Sequence, residues 1–202
     1  MTSKALLIVD VQNDFCPGGS LAVPDGDAVV KPINAMIEYA RMNGWLIVAS
    51  RDWHPAVTRH FKDYGGIWPA HCVQNTPGAE FHPDLRLEGA MLISKATLSY
   101  EDGYSPFEGH TGFGDPLASY ISLEHYFHRN DVEDVYVCGL ATDYCVKAGA
   151  LDAAKRGFKT CLLLDACRAV NVNPGDGDKA VEEMRNAGVV ISETVEVING
   201  RA

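Results

Sequence analysis

Short apolar runs alternate with stretches of helical period along this chain. Ala5–Val11 (ALLIVDV), Trp45–Ser50 (WLIVAS), Met91–Ser94 (MLIS), Val135–Leu140 (VYVCGL), Thr160–Asp165 (TCLLLD) and Val189–Ser192 (VVIS) have strand length and are rich in β-branched residues and leucine. Ile33, Met36, Ile37 and Ala40 recur at helical spacing, and Gly44 follows as a stop. A helix around Leu123, Tyr126 and Phe127 precedes Asn130. A third, capped by Thr142, runs through Val146, Ala150 and Ala153 to Lys155, Arg156 and Gly157, which suit its C-terminal dipole and C′ position. A fourth starts at Asp176 or Asp178, carries Val181 and Met184, and ends at Gly188. Continuous apolar strands alternating with helices predict a parallel sheet covered on both faces. The expectation is one three-layer α/β/α domain over residues 1–202, with a mostly parallel six-stranded sheet.

Two segments fall outside this rhythm, Arg51–Leu87 and Ala96–Asp115. Long ordered loops are uncommon in a compact domain and are often functional. Both leave the C-terminal ends of strands, where open parallel sheets bind ligands.

Composition narrows the function classes. The net charge is -10 and no Lys/Arg-rich block occurs, which argues against a nucleic-acid surface. No apolar run approaches the roughly 20 residues needed to span a bilayer. MTSKALLIVD enters a strand without signal-peptide anatomy, so the expected location is cytoplasmic. The six cysteines form no C-x-x-C pair, which suits a reducing compartment. A Cys16–Cys72 contact is left open.

Three reactive groups fall at strand ends: Asp10 after the first run, Lys95 after the third and Cys145 after the fourth. A charge within an apolar strand is costly unless paired, so Asp10 and Lys95 could form a structural ion pair. Cys145 taken alone reads as a small buried residue. Together the three suit a nucleophilic triad: a thiol, a carboxylate to take its proton and an ammonium to stabilise the thiolate. A helix start would favour the same thiolate by its dipole. The second strand end offers Asp52-Trp53-His54, an acid and an imidazole two residues apart on one side of an extended chain, and His60 and His71 follow in the same loop. Such donors suit Zn²⁺, Fe²⁺ or Mn²⁺. His82, His110, His125 and His128 read as surface or packing residues.

The segments DVQNDFCPGGSLAV, SRDWHP, WPAHCVQNTPGAEFHP, SKAT-x-x-YEDGYSPFEG and GLATDYCV, in that order, resemble the nicotinamidases (pyrazinamidases) of the isochorismatase-like hydrolases over nearly the whole length. The resemblance implies Cys145 as nucleophile, Asp10 as acid and Lys95 as the lysine. It implies Asp52, His54 and His71 as ligands of one divalent metal ion, with His60 an additional ligand in some members only. It also implies a cis peptide before Ala141, with the Ala141 and Cys145 N–H groups as an oxyanion hole, and Phe15, Trp68 and Tyr104 as walls for a pyridine ring. Tyr144 departs from members that carry histidine there. The implied reaction is hydrolysis of nicotinamide to nicotinate and ammonia through a Cys thioester, with pyrazinamide as a further substrate. A homo-oligomer is compatible with this reading. Competing readings are an amidase for a carbamoyl or ureido compound, which would not need the D-x-H…H ligands, and a non-catalytic metal- or thiol-responsive binding protein. A vinyl-ether hydrolase fits Cys145 poorly.

Overall fold

The computed structural model describes residues 3–112 and 120–201; positions 113–115 of the second irregular segment lie outside them. Ala5 to Val9 are wholly buried, as the middle of a two-sided parallel sheet demands. The strands are β1 (Ser3–Val9), β2 (Leu46–Asp52), β3 (Met91–Lys95), β4 (Val132–Leu140), β5 (Lys159–Arg168) and β6 (Val190–Ser192). They form one sheet in the order β3-β2-β1-β4-β5-β6. Every pairing is parallel, so the sheet is all-parallel rather than mostly so.

Helices α1 (Val30–Met42), α2 (Leu123–Arg129), α3 (Lys147–Lys155), α4 (Asp176–Asn186) and α5 (Thr194–Ile198) cover the sheet. α1 buries Ile33, Met36, Ile37 and Ala40, the stripe its period predicts, and packs on β1, β2 and α5. α3 packs on α4, β4 and β5. Gly44, Gly157 and Gly188 follow α1, α3 and α4 with φ of 68°, 89° and 90°, as αL stops should. The short α5 is absent from the periodic pattern. It is held by a capping box between Glu193 and Glu196, and by Asp165, which accepts from Thr194 N at 2.8 Å.

Strand order reverses between β1 and β4, the topological switch where parallel sheets open a crevice. Gly139 lies in β4 opposite Val9 with φ 117°, and a Cβ there would collide with the Val9 backbone. The two central strands can therefore approach closely just before the chain turns into the Cys145 segment.

Candidate active site

Asp10 follows β1, fully buried and in the left-handed region at φ 50°. Ser50 of the neighbouring strand donates to its Oδ1 at 2.7 Å. Lys95 ends β3, and its buried ammonium lies 2.8 Å from Asp10 Oδ2 and 2.5 Å from Asp52 Oδ1. It also donates to Gly103 O at 2.7 Å and lies 3.4 Å from Cys145 Sγ. The ion pair and the triad are thus one cluster. A buried ammonium is tolerable here because two carboxylates and a carbonyl replace its water.

Cys145 does not open an ordinary helix. Thr142–Val146 forms a π-helical turn ahead of α3, the position before it is Ala141, and Thr142 supplies no cap. Asp143 anchors the turn by accepting from Val170 N at 2.9 Å and Asn171 N at 2.8 Å. The Leu140–Ala141 peptide is cis, as the resemblance implies. The thiol is not acidified in the resting site. Burial pushes it well above the ordinary thiol range, and Asp10 and Asp52 add to this against Lys95. Burial likewise raises Asp10 to about 6, with Lys95 opposing and Asp52 adding. Burial would raise Asp52 too, but Lys95, His54 and His71 outweigh it and hold the group below the carboxylate range.

The other oxygen of Asp52 faces the imidazoles: Oδ2 lies 3.9 Å from both His54 Nε2 and His71 Nε2. One ring nitrogen each from His54, His60 and His71 falls within 4.8 Å of the others. His71 Nδ1 donates to Pro69 O at 2.8 Å, and His60 Nδ1 lies 3.2 Å from Asp102 Oδ1. His54 is fully buried, and neither ring nitrogen has a hydrogen-bond partner. Burial drives its pKa down to about 3, so the ring is neutral and its lone pair is available. Buried imidazoles without hydrogen bonds are rare unless they ligate a cation. The Asp/His donor set therefore fits a divalent metal ion. Asp10, Asp52 and Cys145 form a second close donor group, but the Lys95 ammonium already fills the cationic role among them.

A pocket lined by Asp52, His60, His71 and Cys145 joins the two clusters. Ala141 and Cys145 reach it from the strand-end turn, and Phe15 lies against His71 with ring centroids 5.4 Å apart. Trp68 donates to the Tyr104 hydroxyl at 2.9 Å. Tyr144 meets Trp68 edge-on at 4.9 Å and stacks with Tyr104 at 6.2 Å. The three expected aromatics are joined by Tyr144, and the result is a slot for a flat ring.

All eleven site residues named from the sequence meet here. His110, His125 and His128 are exposed and His82 is half-buried, all outside the donor group. All six cysteines are free, so Cys16 and Cys72 form no disulfide. The supporting residues escaped sequence reasoning. Gln12 is buried and grips both backbone groups of Asp52: its Nε2 donates to Asp52 O and its Oε1 accepts from Asp52 N, each at 2.8 Å. Asp14 accepts from Cys72 N at 2.7 Å, beside His71. The two-residue spacing of Asp10 and Gln12 is a signal, but its meaning depends on β2 lying alongside. Among the described residues no helix is long and apolar enough to cross a membrane.

The isochorismatase domain model matches residues 4–196. A nicotinamidase of Escherichia coli is 39% identical over 95% of each chain. The pyrazinamidase of Pyrococcus horikoshii, solved in complex with zinc, is 47% identical with a TM-score of 0.84, over 95% of this chain and 99% of that one. PnC1 from L. infantum, solved in complex with nicotinate, is 35% identical with a TM-score of 0.82, over 96% of this chain and 94% of that one. With its sheet order, strand-end cysteine and Asp/His group, the chain belongs to the isochorismatase domain family.

Proposed function

We propose that residues 1–202 form one catalytic domain that hydrolyses nicotinamide to nicotinate and ammonia, with pyrazinamide as a second substrate. The observation that carries this reading is the Lys95 ammonium. It is shared by Asp10, Asp52 and the Cys145 sulfur at one end of an aromatic slot whose other end is lined by imidazoles. Asp10 takes the thiol proton as sulfur attacks the amide carbon, and Lys95 balances the developing negative charge. The Ala141 and Cys145 N–H groups receive the oxyanion. Asp10 then passes the proton to the departing nitrogen, the C–N bond breaks and ammonia leaves a Cys145 thioester. Water, deprotonated by Asp10, attacks that thioester; nicotinate forms and the thiol recovers its proton.

Phe15, Trp68 and Tyr104 hold the ring. Asp52, His54 and His71, with His60, would hold one divalent ion, Zn²⁺, Fe²⁺ or Mn²⁺. When bound, it supplies a Lewis-acid contact for a ring nitrogen.

The test is ammonia release from nicotinamide by wild type and Cys145→Ala. Turnover by wild type with loss of at least 10³-fold in the variant is expected. Equal turnover by both would sink the covalent route. Release from a ureido amide but not from nicotinamide would move the assignment to that substrate class.

A further inference from the structure

We propose that Asp102 is a positioning residue for the metal site, and that its carboxylate makes His60 the fourth protein ligand. The inference rests on the metal-binding reading above. His60 is 5% exposed, and its Nδ1 lies 3.2 Å from Asp102 Oδ1. An ionised carboxylate only accepts, so Nδ1 carries the proton and the lone pair is left on Nε2. Metal-bound histidines commonly donate their second nitrogen to a carboxylate or carbonyl, which fixes the tautomer and raises ligand basicity. His71 has that arrangement through Pro69 O, and His60 has it through Asp102.

Asp102 is not part of the donor group itself. It sits at the cavity rim, half exposed, with Arg59 Nη2 3.6 Å from its other oxygen. Its segment is pinned from two sides. Gly103 O accepts from Lys95, while Ser99 O accepts from Arg59 N at 3.0 Å and from Thr58 Oγ1 at 3.1 Å. Gly103 has φ 65°, and a Cβ there would strike Ala96, so the chain passes Lys95 in a conformation that suits glycine. One dipeptide therefore touches both halves of the site: the Asp102 side chain steadies a metal-facing imidazole, and the Gly103 carbonyl steadies the lysine beside the thiol.

The experiment is zinc affinity of the full chain, measured by competition with a chromophoric chelator, for wild type, Asp102→Ala, Asp102→Asn, His60→Ala and the Asp102→Ala/His60→Ala double variant. We expect Asp102→Ala to weaken zinc binding about 10–100-fold. Asp102→Asn keeps an acceptor without the charge and should weaken it less. The double variant should bind as His60→Ala does, because Asp102 acts through His60. Excess zinc should restore amidase turnover in Asp102→Ala, which damage to the pocket wall would not permit. Unchanged zinc affinity in Asp102→Ala or in His60→Ala, or losses that simply add in the double variant, would overturn the proposal. Failure of the function reading looks different: wild type would release no ammonia from nicotinamide, whatever its zinc affinity.

Discussion

Lys95 carries a full charge in a place without water, and two carboxylates make that possible. Removing the ammonium leaves Asp10 and Asp52 buried against each other. Lys95→Ala should therefore cost about 3–5 kcal/mol of stability, the usual penalty for breaking a buried pair from one side, read by urea denaturation at pH 7. In the proposed mechanism the same carboxylates set the acid limit of turnover. Asp10 must be ionised to accept the thiol proton, and burial has raised it to about 6. As pH falls through that value the base becomes protonated, so kcat/KM should decline tenfold per pH unit below about pH 6. A profile flat from pH 7 to pH 4.5 would contradict the assignment of Asp10 as base. Asp10, Lys95 and Cys145 were legible in the sequence because ionisable side chains at the ends of apolar runs demand an explanation. Gln12 was not, since an amide two residues past a strand means little until β2 brings Asp52 within 2.8 Å. The thiol's raised pKa was equally hidden, because it arises from burial and from two acids contributed by different strand ends.

Among the elements, the strands and the longer helices follow from periodicity, and the turn that carries Cys145 does not. Its π-helical form and its anchor are tertiary features: Asp143 reaches across to Val170 N and Asn171 N, beyond the end of β5. Thr142 looked like the cap from its position alone, yet the side chain that holds the turn is the next one along. Asp143→Ala should leave two part-buried backbone donors without their carboxylate acceptor. With solvent replacing part of the lost acceptor, it should destabilise the fold by about 1–3 kcal/mol. It should also lower kcat more than it raises KM, because the displaced atoms are the sulfur and its neighbouring N–H, whereas the Phe15 and Trp68 walls belong to other segments. A KM effect alone would mean that the turn supports binding and not the nucleophile. α5 was unreadable for a simpler reason: five residues are too few to show a period, and its capping box marks a start without a length.

At the scale of the molecule, the strand order β3-β2-β1-β4-β5-β6 brings four strand ends to one rim and places the Cys145 thiol and the Asp10 carboxylate on either side of the reversal. The histidine loop, by contrast, contains only the short helical turns Lys62–Tyr64 and Pro77–Ala79 and a few isolated bridges. It buries His54, His60 and His71 around a space in which His54 has no hydrogen-bond partner. A loop so built should depend on a cation for part of its order. Zinc at 100 times its dissociation constant would stabilise the native state by about 2.7 kcal/mol. For a chain of this size that corresponds to a rise in Tm of about 5–10 °C over chelator-treated protein. The competing donor group of Asp10, Asp52 and Cys145 makes a different forecast, so two variants separate them. The thermal shift should persist in Cys145→Ala and vanish in His54→Ala. The opposite pattern would place the cation at the thiol, where it would have to displace Lys95, and would undo the division of Asp52 between a lysine on one oxygen and a metal on the other.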